Sequence, residues 1–170
     1  MDSNTQTYGS PVISIMKGLS LVESGWSFFS PDSDPFLGVK NLIQDVQHVP
    51  TASRGIFLAY DSQTPSVVFV PNRQLPSVLD ALTQFNSAQV SALILVVEDH
   101  PFVAPHMYPR QLLCDAGLTA LEPCSAVEME FISLAAGRLA VATKEPIALV
   151  AHHGLLGSAA SVEGSNHGET

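Results

Sequence analysis

The sequence predicts an α/β fold: a doubly wound, mostly parallel sheet of about six strands with helices on both faces. Apolar runs without polar alternation are typical of strands buried on both faces, and they occur at residues 66–70 (SVVFV), 92–97 (ALILVV) and 147–151 (IALVA). Between these runs apolar residues recur at helical spacing, so strands and helices alternate along the chain. Parallel neighbours need a crossover between them, usually a helix, and the alternation therefore indicates a mostly parallel sheet.

The first 63 residues predict five elements around one polar loop. They are a helix over 11–22 that ends near Gly25, a strand over 26–29 (WSFF), a helix over 36–46, a strand over 46–49 and a short helix around 56–60. The loop, residues 30–35 (SPDSDP), follows the first strand directly, and its prolines cannot donate to a sheet ladder. Open α/β sheets bind ligands outside the carboxyl ends of their strands, which makes this loop the first candidate for a site.

The rest of the chain predicts four further strands, each but the last followed by a helix. They are a strand over 66–70, a helix opened by Pro76, a strand over 92–97, a helix over 110–116 closed by Gly117, a strand over 119–121, a helix opened by Ser125 and a strand over 147–151. Ser125 and Glu128 have the spacing of a capping box. In the long helix that follows, one apolar face is expected to pack on the sheet. Its residues are Phe131, Ile132, Ala135, Leu139 and Ala140.

Length and composition are those of one domain. The chain has 170 residues, of which 46% are apolar, enough to bury a core. We expect residues 1–10 to be a flexible N-terminus and residues 11–156 to form the domain. Residues 157–170 are small and polar, which predicts a disordered tail.

The charge balance argues against two classes of partner. The formal net charge is −9 with only seven Lys and Arg, and no basic cluster is present to neutralise the phosphates of nucleic acid or an anionic membrane. No apolar run approaches the about 20 residues of a membrane-spanning helix, and the start of the chain lacks a signal-peptide pattern, so a cytoplasmic location is expected. Cys114 and Cys124 are too few for a disulfide framework and are expected to be buried or half-buried free thiols.

Common catalytic and phosphate-binding motifs are absent: the sequence has no G-x-G-x-x-G, G-x-x-x-x-G-K-[ST] or G-x-S-x-G. His152-His153-Gly154 resembles the strand-end HHG with which class II aldolases bind a divalent metal. Those enzymes also have an upstream His-x-His pair, and here that stretch reads Glu98-Asp99-His100. Adjacent histidines on an extended chain point to opposite faces. A polar loop is therefore the preferred interpretation, and no metal ligand is assigned.

Several segments that contain or flank strand ends occur in an order that resembles a known family. They are residues 18–33, with a helix, a strand and a P-D-S loop; residues 65–82, with a strand, a loop and a helix; residues 93–97; Pro105-His106 with Arg110; and residues 145–150. Over about residues 12 to 156 the chain resembles the pyrimidine-binding domain of thiamine-diphosphate enzymes. The resemblance is to the α subunit of sulfopyruvate decarboxylase and the matching region of phosphonopyruvate decarboxylase.

This resemblance implies a subunit that binds the aminopyrimidine ring of thiamine diphosphate and acts on a small 2-oxo acid, by decarboxylation or carbon–carbon bond formation. In the family a separate domain holds the diphosphate and its Mg²⁺, which implies a second subunit and a hetero-oligomer. The residues implied are His106 and Asp32 for catalysis, Ser30, Asp32, Ser33 and Arg110 for substrate binding, and Asn72 and Gln74 for the cofactor ring.

The sequence departs from the family in two places. Residues 51–55 (TASRG) stand where the family has an E-E-G segment whose glutamate hydrogen-bonds the aminopyrimidine, and residues 74–77 (QLPS) replace a G-L-G-N-S loop. Loss of a positioned acid–base group slows proton transfer by about 10² to 10⁴. A second hypothesis is therefore a non-catalytic partner that stabilises or regulates an active subunit. A metal-dependent enzyme of the class II aldolase kind is a third.

Overall fold

The computed structural model describes residues 25–31, 46–62, 64–97 and 108–152. Their centre is a six-stranded sheet with the order β2-β1-β3-β4-β6-β5, and every pair of neighbouring strands is parallel. The predicted doubly wound α/β fold is confirmed. The strands are β1 (Ser27–Pro31), β2 (Val46–Val49), β3 (Ser66–Pro71), β4 (Ala92–Val97), β5 (Thr119–Leu121) and β6 (Pro146–Ala151).

Helices cover both faces of this sheet. They are α1 (Ala52–Asp61), α2 (Leu75–Asn86), α3 (Pro109–Asp115) and α4 (Ala126–Thr143), and a 3₁₀ turn (Asn72–Gln74) precedes α2. The first three pack on one face and α4 packs on the other. Crossovers between parallel strands are right-handed. The chain returns from β5 to β6 against the direction of the crossovers from β2 to β3, β3 to β4 and β4 to β5, which contain α1, α2 and α3. For that reason α4 lies on the opposite face.

The three central strands are buried along their whole length. Every residue of β3, β4 and β6 is buried, and successive residues supply the two faces in turn. Leu93 and Leu95 belong to the cluster beneath α4, whereas Ile94 and Val96 belong to the cluster beneath α1, α2 and α3. This arrangement explains why the strands read as unbroken apolar runs without alternation.

Helix α1 is longer than the short helix predicted around residues 56–60. It begins at Ala52 because Thr51 caps it: the Thr51 hydroxyl accepts a hydrogen bond from the Arg54 amide. The helix also lies very close to the sheet at Gly55, where an added Cβ would come within 3.1 Å of a Val68 methyl carbon. The face that α1 buries is made mostly of small residues. For that reason the helical spacing of large apolar residues in this part of the sequence is weak.

Helix α4 begins with the predicted cap but presents a different face to the sheet. The Ser125 hydroxyl accepts a hydrogen bond from the Glu128 amide. The prediction that Phe131, Ala135 and Leu139 face the core is wrong: Phe131 is 66% exposed and Leu139 is 42% exposed. The buried residues are Met129, Ser133, Ala136, Gly137 and Ala140. Most of them are small, so α4 approaches the sheet closely and its large side chains are left outside.

The remaining elements lie close to their predicted bounds. The first strand is Ser27–Pro31 rather than residues 26–29. Helix α3 ends at Asp115, and Gly117 follows its C-cap residue with a φ of +82°, which favours glycine. The predicted helices over 11–22 and 36–46, and the domain boundaries at residues 10 and 156, lie outside the described residues. Cys114 and Cys124 are both exposed, so the expectation of buried or half-buried thiols is wrong. No helix among the described ranges is long and apolar enough to cross a membrane.

The burial of Leu95 gives a direct test of this core. We expect Leu95→Ala to lower the free energy of unfolding by about 2 to 5 kcal/mol, because it leaves a cavity in the fully buried strand β4. The matched control is Leu139→Ala on the exposed face of α4, which should cost less than about 1 kcal/mol. Urea denaturation followed by circular dichroism measures both. Equal losses for the two variants would contradict the assigned burial.

Candidate functional site

The carboxyl ends of the six strands meet at one edge of the sheet, and polar residues follow most of them. In a parallel sheet this edge is where ligands bind. The described residues that follow strand ends are Thr51 after β2, Asn72 and Gln74 after β3, Glu122 after β5 and His152 after β6. They fall into two groups, one at each side of the sheet.

The first group joins the N-termini of α1 and α2. Gln74 precedes α2, and its side-chain oxygen accepts a hydrogen bond of 3.0 Å from the amide of Ala52, the first residue of α1. Thr51 satisfies a second free amide of the same helix end. The first amides of a helix have no partner within the helix. Gln74 therefore has a structural role that the sequence does not reveal. Its side-chain oxygen, which was expected to face the cofactor ring, already accepts a hydrogen bond from the Ala52 amide.

Asn72 holds the one unusual polar atom of this group. The residue is only 7% exposed, and its side-chain oxygen has no hydrogen-bond partner in the part of the chain that the structure describes. An unpaired buried acceptor costs about 1 to 3 kcal/mol. The Asn72 carbonyl accepts from the Leu75 amide and holds the 3₁₀ turn, so the residue lies at the carboxyl end of β3. Less than 1 Å² of its side-chain oxygen is exposed, so a donor on a ligand reaches this oxygen only when neighbouring groups move aside.

The second group is centred on Glu122. One oxygen of its carboxylate contacts His152 Nε2, and the other lies 3.9 Å from the Arg110 guanidinium. These residues come from three elements: Glu122 follows β5, His152 follows β6, and Arg110 lies in the first turn of α3. The Arg110 side chain is 70% exposed, which leaves guanidinium N–H groups open to a further anion.

The two groups are well separated along the edge. Asn72 follows β3 and Glu122 follows β5, and these strands lie three positions apart in the sheet. With neighbouring strands about 4.8 Å apart, this is a separation of about 14 Å. Arg110 and Asn72 therefore do not contact the same part of a small ligand.

The structure locates only some of the predicted site residues. Ser30 lies within β1 and is buried, and its hydroxyl donates to the Pro31 carbonyl at 3.3 Å. It is therefore a strand residue rather than part of an open loop. Asp32, Ser33 and His106 lie outside the described residues.

Two kinds of functional group matter at these strand ends: a carboxylate at the start of α1 and a set of metal ligands around His152. The first turn of α1 contains no acidic residue. Within residues 25–31, 46–62, 64–97 and 108–152, no three His, Cys, Asp or Glu side chains are placed to hold a metal ion. His152 instead contacts Glu122, which the sequence analysis did not single out. The signal that would have found Glu122 is its place as the first polar residue after a strand.

Comparisons with known proteins bear on the fold. No protein-family model matches the chain, and no curated protein matches it in sequence. Among solved structures it is similar to 2-oxoglutarate:ferredoxin oxidoreductase from Magnetococcus marinus, with a TM-score of 0.71 and 13% identity over 86% of this chain and 29% of that one. It is also similar to benzoylformate decarboxylase from Polynucleobacter necessarius, with a TM-score of 0.66 and 9% identity over 89% of this chain and 34% of that one.

Both of these proteins are thiamine-diphosphate-dependent enzymes. At such low identity the similarity shows a shared fold. The chain spans about a third of the length of each of the two enzymes. It therefore has the fold of one region of a thiamine-diphosphate enzyme.

The contact between Gln74 and Ala52 can be tested by changing the acceptor. We expect Gln74→Ala to lower the free energy of unfolding by about 1 kcal/mol, because the Ala52 amide loses its partner. Gln74→Glu keeps an acceptor and adds negative charge at a helix N-terminus, so its stability should equal or exceed that of the wild type. The control is Gln111→Ala, which removes only an exposed contact with Asp115, worth about 0.2 to 0.5 kcal/mol. Equal stability of Gln74→Ala and the wild type would show that the contact has no structural role.

Proposed function

We propose that this chain is the pyrimidine-binding subunit of a heteromeric thiamine-diphosphate-dependent enzyme that acts on a 2-oxo acid, by decarboxylation or carbon–carbon bond formation. The observation that carries the proposal is the buried side-chain oxygen of Asn72, which has no partner among the described residues and lies at the ligand-binding edge of the sheet. The shared fold with regions of two thiamine-diphosphate enzymes supports it.

The ring end of the cofactor fits the chemistry of this edge. An aminopyrimidine carries an exocyclic amine, and an amine N–H is the donor that the Asn72 oxygen lacks. A bound donor would recover the cost of the unpaired acceptor, so the interaction favours the bound state. In this proposal Asn72 orients the ring, while Gln74 and Thr51 hold the neighbouring helix ends in place.

The diphosphate end does not fit the described residues. A diphosphate is held by a divalent cation with clustered oxygen ligands, or by backbone amides of a glycine-rich turn at a helix N-terminus. The described strand ends present neither arrangement, and the net charge of −9 opposes the approach of another anion. We therefore assign Mg²⁺ and the diphosphate to a second polypeptide, with the cofactor between the two chains.

The substrate would be handled by residues around the same edge. When bound, thiamine diphosphate supplies the nucleophilic carbon and the electron sink that 2-oxo acid chemistry requires. The proposal gives Asp32 and His106 the proton transfers and Ser33 a contact with substrate. Arg110 has open guanidinium N–H groups, and a bidentate contact with a carboxylate is its proposed role.

A second candidate function is favoured by the start of α1. Its first turn carries no acidic residue, and by resemblance this is where the family has the glutamate that bonds the aminopyrimidine. A chain of this kind would bind the ring without promoting proton removal. It would then serve as a non-catalytic partner that stabilises or regulates an active subunit.

The test is cofactor binding by titration calorimetry. It is measured on the chain alone and on its complex with the co-expressed second subunit, the polypeptide proposed to hold Mg²⁺ and the diphosphate, which we call the neighbouring subunit. The chain alone should not bind thiamine diphosphate with Mg²⁺, whereas the complex should bind it. In the complex Asn72→Leu should weaken binding about tenfold, the value of one hydrogen bond. The same substitution should leave the isolated chain as stable or more stable, because it removes an unpaired buried acceptor.

The control and the assay separate the possible outcomes. Gln111→Leu changes an exposed amide on α3 and should leave cofactor affinity unchanged. Unchanged affinity of the Asn72→Leu complex would remove Asn72 from the site, and tight cofactor binding by the chain alone would overturn the subunit assignment. Release of carbon dioxide from a panel of 2-oxo acids by the complex supports the catalytic role. Cofactor binding without turnover of any 2-oxo acid supports the non-catalytic partner.

A further inference from the structure

Helix α4 has an apolar surface on the side that faces away from the sheet. Val127 and Phe131 are each 66% exposed, and Ala135, Arg138 and Ala142 are exposed along the same side, with Leu134 partly so. At 100° per residue these six positions fall within an arc of about 100°. We call them the outer stripe. A helix that is apolar on both sides is normally covered on both.

We propose that the outer stripe binds the outer stripe of a second copy of this chain, with the two α4 helices antiparallel about a two-fold axis between Leu134 and Ala135. In this register the stripe is complementary to itself. About this axis Phe131 meets Arg138 of the second copy, Val127 meets Ala142, and Leu134 meets Ala135. Val127 and Leu134 thus face alanines, Phe131 faces a guanidinium, and each pair occurs twice.

The charges of the helix favour the antiparallel arrangement. Arg138 is the one charged residue of the outer stripe, and the antiparallel register places it against the aromatic ring of Phe131, where a guanidinium is attracted to the ring face. A parallel pair in register would place Arg138 against Arg138. The antiparallel pair also sets the two helix dipoles in opposite directions, which is the favourable arrangement.

The size of the surface sets the strength of the association. Helix α4 has 18 residues, which corresponds to a length of about 27 Å and a diameter of about 10 Å. A pair of such helices buries an area near the lower limit of about 1,000 Å² for a specific interface. The dimer should therefore be in equilibrium with monomer and depend on concentration. Aromatic residues and arginine are enriched in interfaces, and here they form the contacts on either side of the central Leu134–Ala135 pairs.

The experiment is sedimentation velocity of the purified chain over a wide range of concentration at physiological salt. The wild type should show a monomer–dimer equilibrium. Phe131→Asp should raise the dissociation constant about 100-fold, because a two-fold interface loses the buried ring twice. Phe57→Asp is the matched control: Phe57 is 50% exposed on α1, on the other side of the sheet, and its substitution should leave the equilibrium unchanged.

A charge exchange tests the register. Phe131→Lys alone should weaken the dimer, because the ring is lost and each new Lys meets Arg138 of the second copy. Adding Arg138→Glu should tighten the dimer relative to Phe131→Lys, because each new Lys then meets the new Glu of the second copy. Within one chain these positions are seven residues apart along the helix, too far to pair with each other. Circular dichroism checks that every variant folds.

Three outcomes would overturn the proposal. They are a chain that is monomeric at every concentration, a Phe57→Asp variant that weakens the dimer as much as Phe131→Asp, and a double variant that associates no more tightly than Phe131→Lys. If the isolated chain is monomeric and Phe131→Asp instead prevents binding of the neighbouring subunit, the outer stripe belongs to that subunit and the proposal is wrong. Cofactor binding by the complex is measured separately and does not depend on this result.

Discussion

The packing of β3, β4 and β6 between two helix layers is the constraint on which the rest of the structure depends. Strands buried on both faces have room only for apolar side chains, so polar chemistry is displaced to the ends of the strands. Because all six strands are parallel, every carboxyl end lies at the same edge. Asn72, Glu122 and His152 are brought to that edge from distant parts of the chain by this packing alone.

The sequence predicted the elements well where packing uses large apolar residues. It was less reliable where packing uses small ones: α1 buries Ala52, Gly55 and Ala59, and α4 turns its small residues inward. Pattern reading assigns large side chains to the core, and both helices depart from that rule because they lie close to the sheet. Phe131 on the outside of α4 is the clearest consequence.

The candidate site was predictable in position but not in its contacts. Strand ends can be read from the sequence, and the family resemblance then implied Asn72 and Gln74 at the end of β3. That the Gln74 oxygen is used by the Ala52 amide, 22 positions earlier, depends on how α1 and α2 pack, which no local pattern contains. The same holds for Glu122, whose partners come from α3 and from the end of β6. The Asn72 oxygen is the acceptor of the first group that has no partner among the described residues, and it is buried.

The central claim is that the carboxyl end of β3 and the start of α1 face a bound cofactor ring in an assembled enzyme. Hydrogen–deuterium exchange of the complex with its partner subunit, with and without thiamine diphosphate and Mg²⁺, tests this most directly. The account predicts slower exchange at residues 51–55 and 72–75 when the cofactor is present, and no change at residues 84–89, at the opposite end of α2. Unchanged exchange at residues 72–75, with slower exchange elsewhere in the chain, would contradict it.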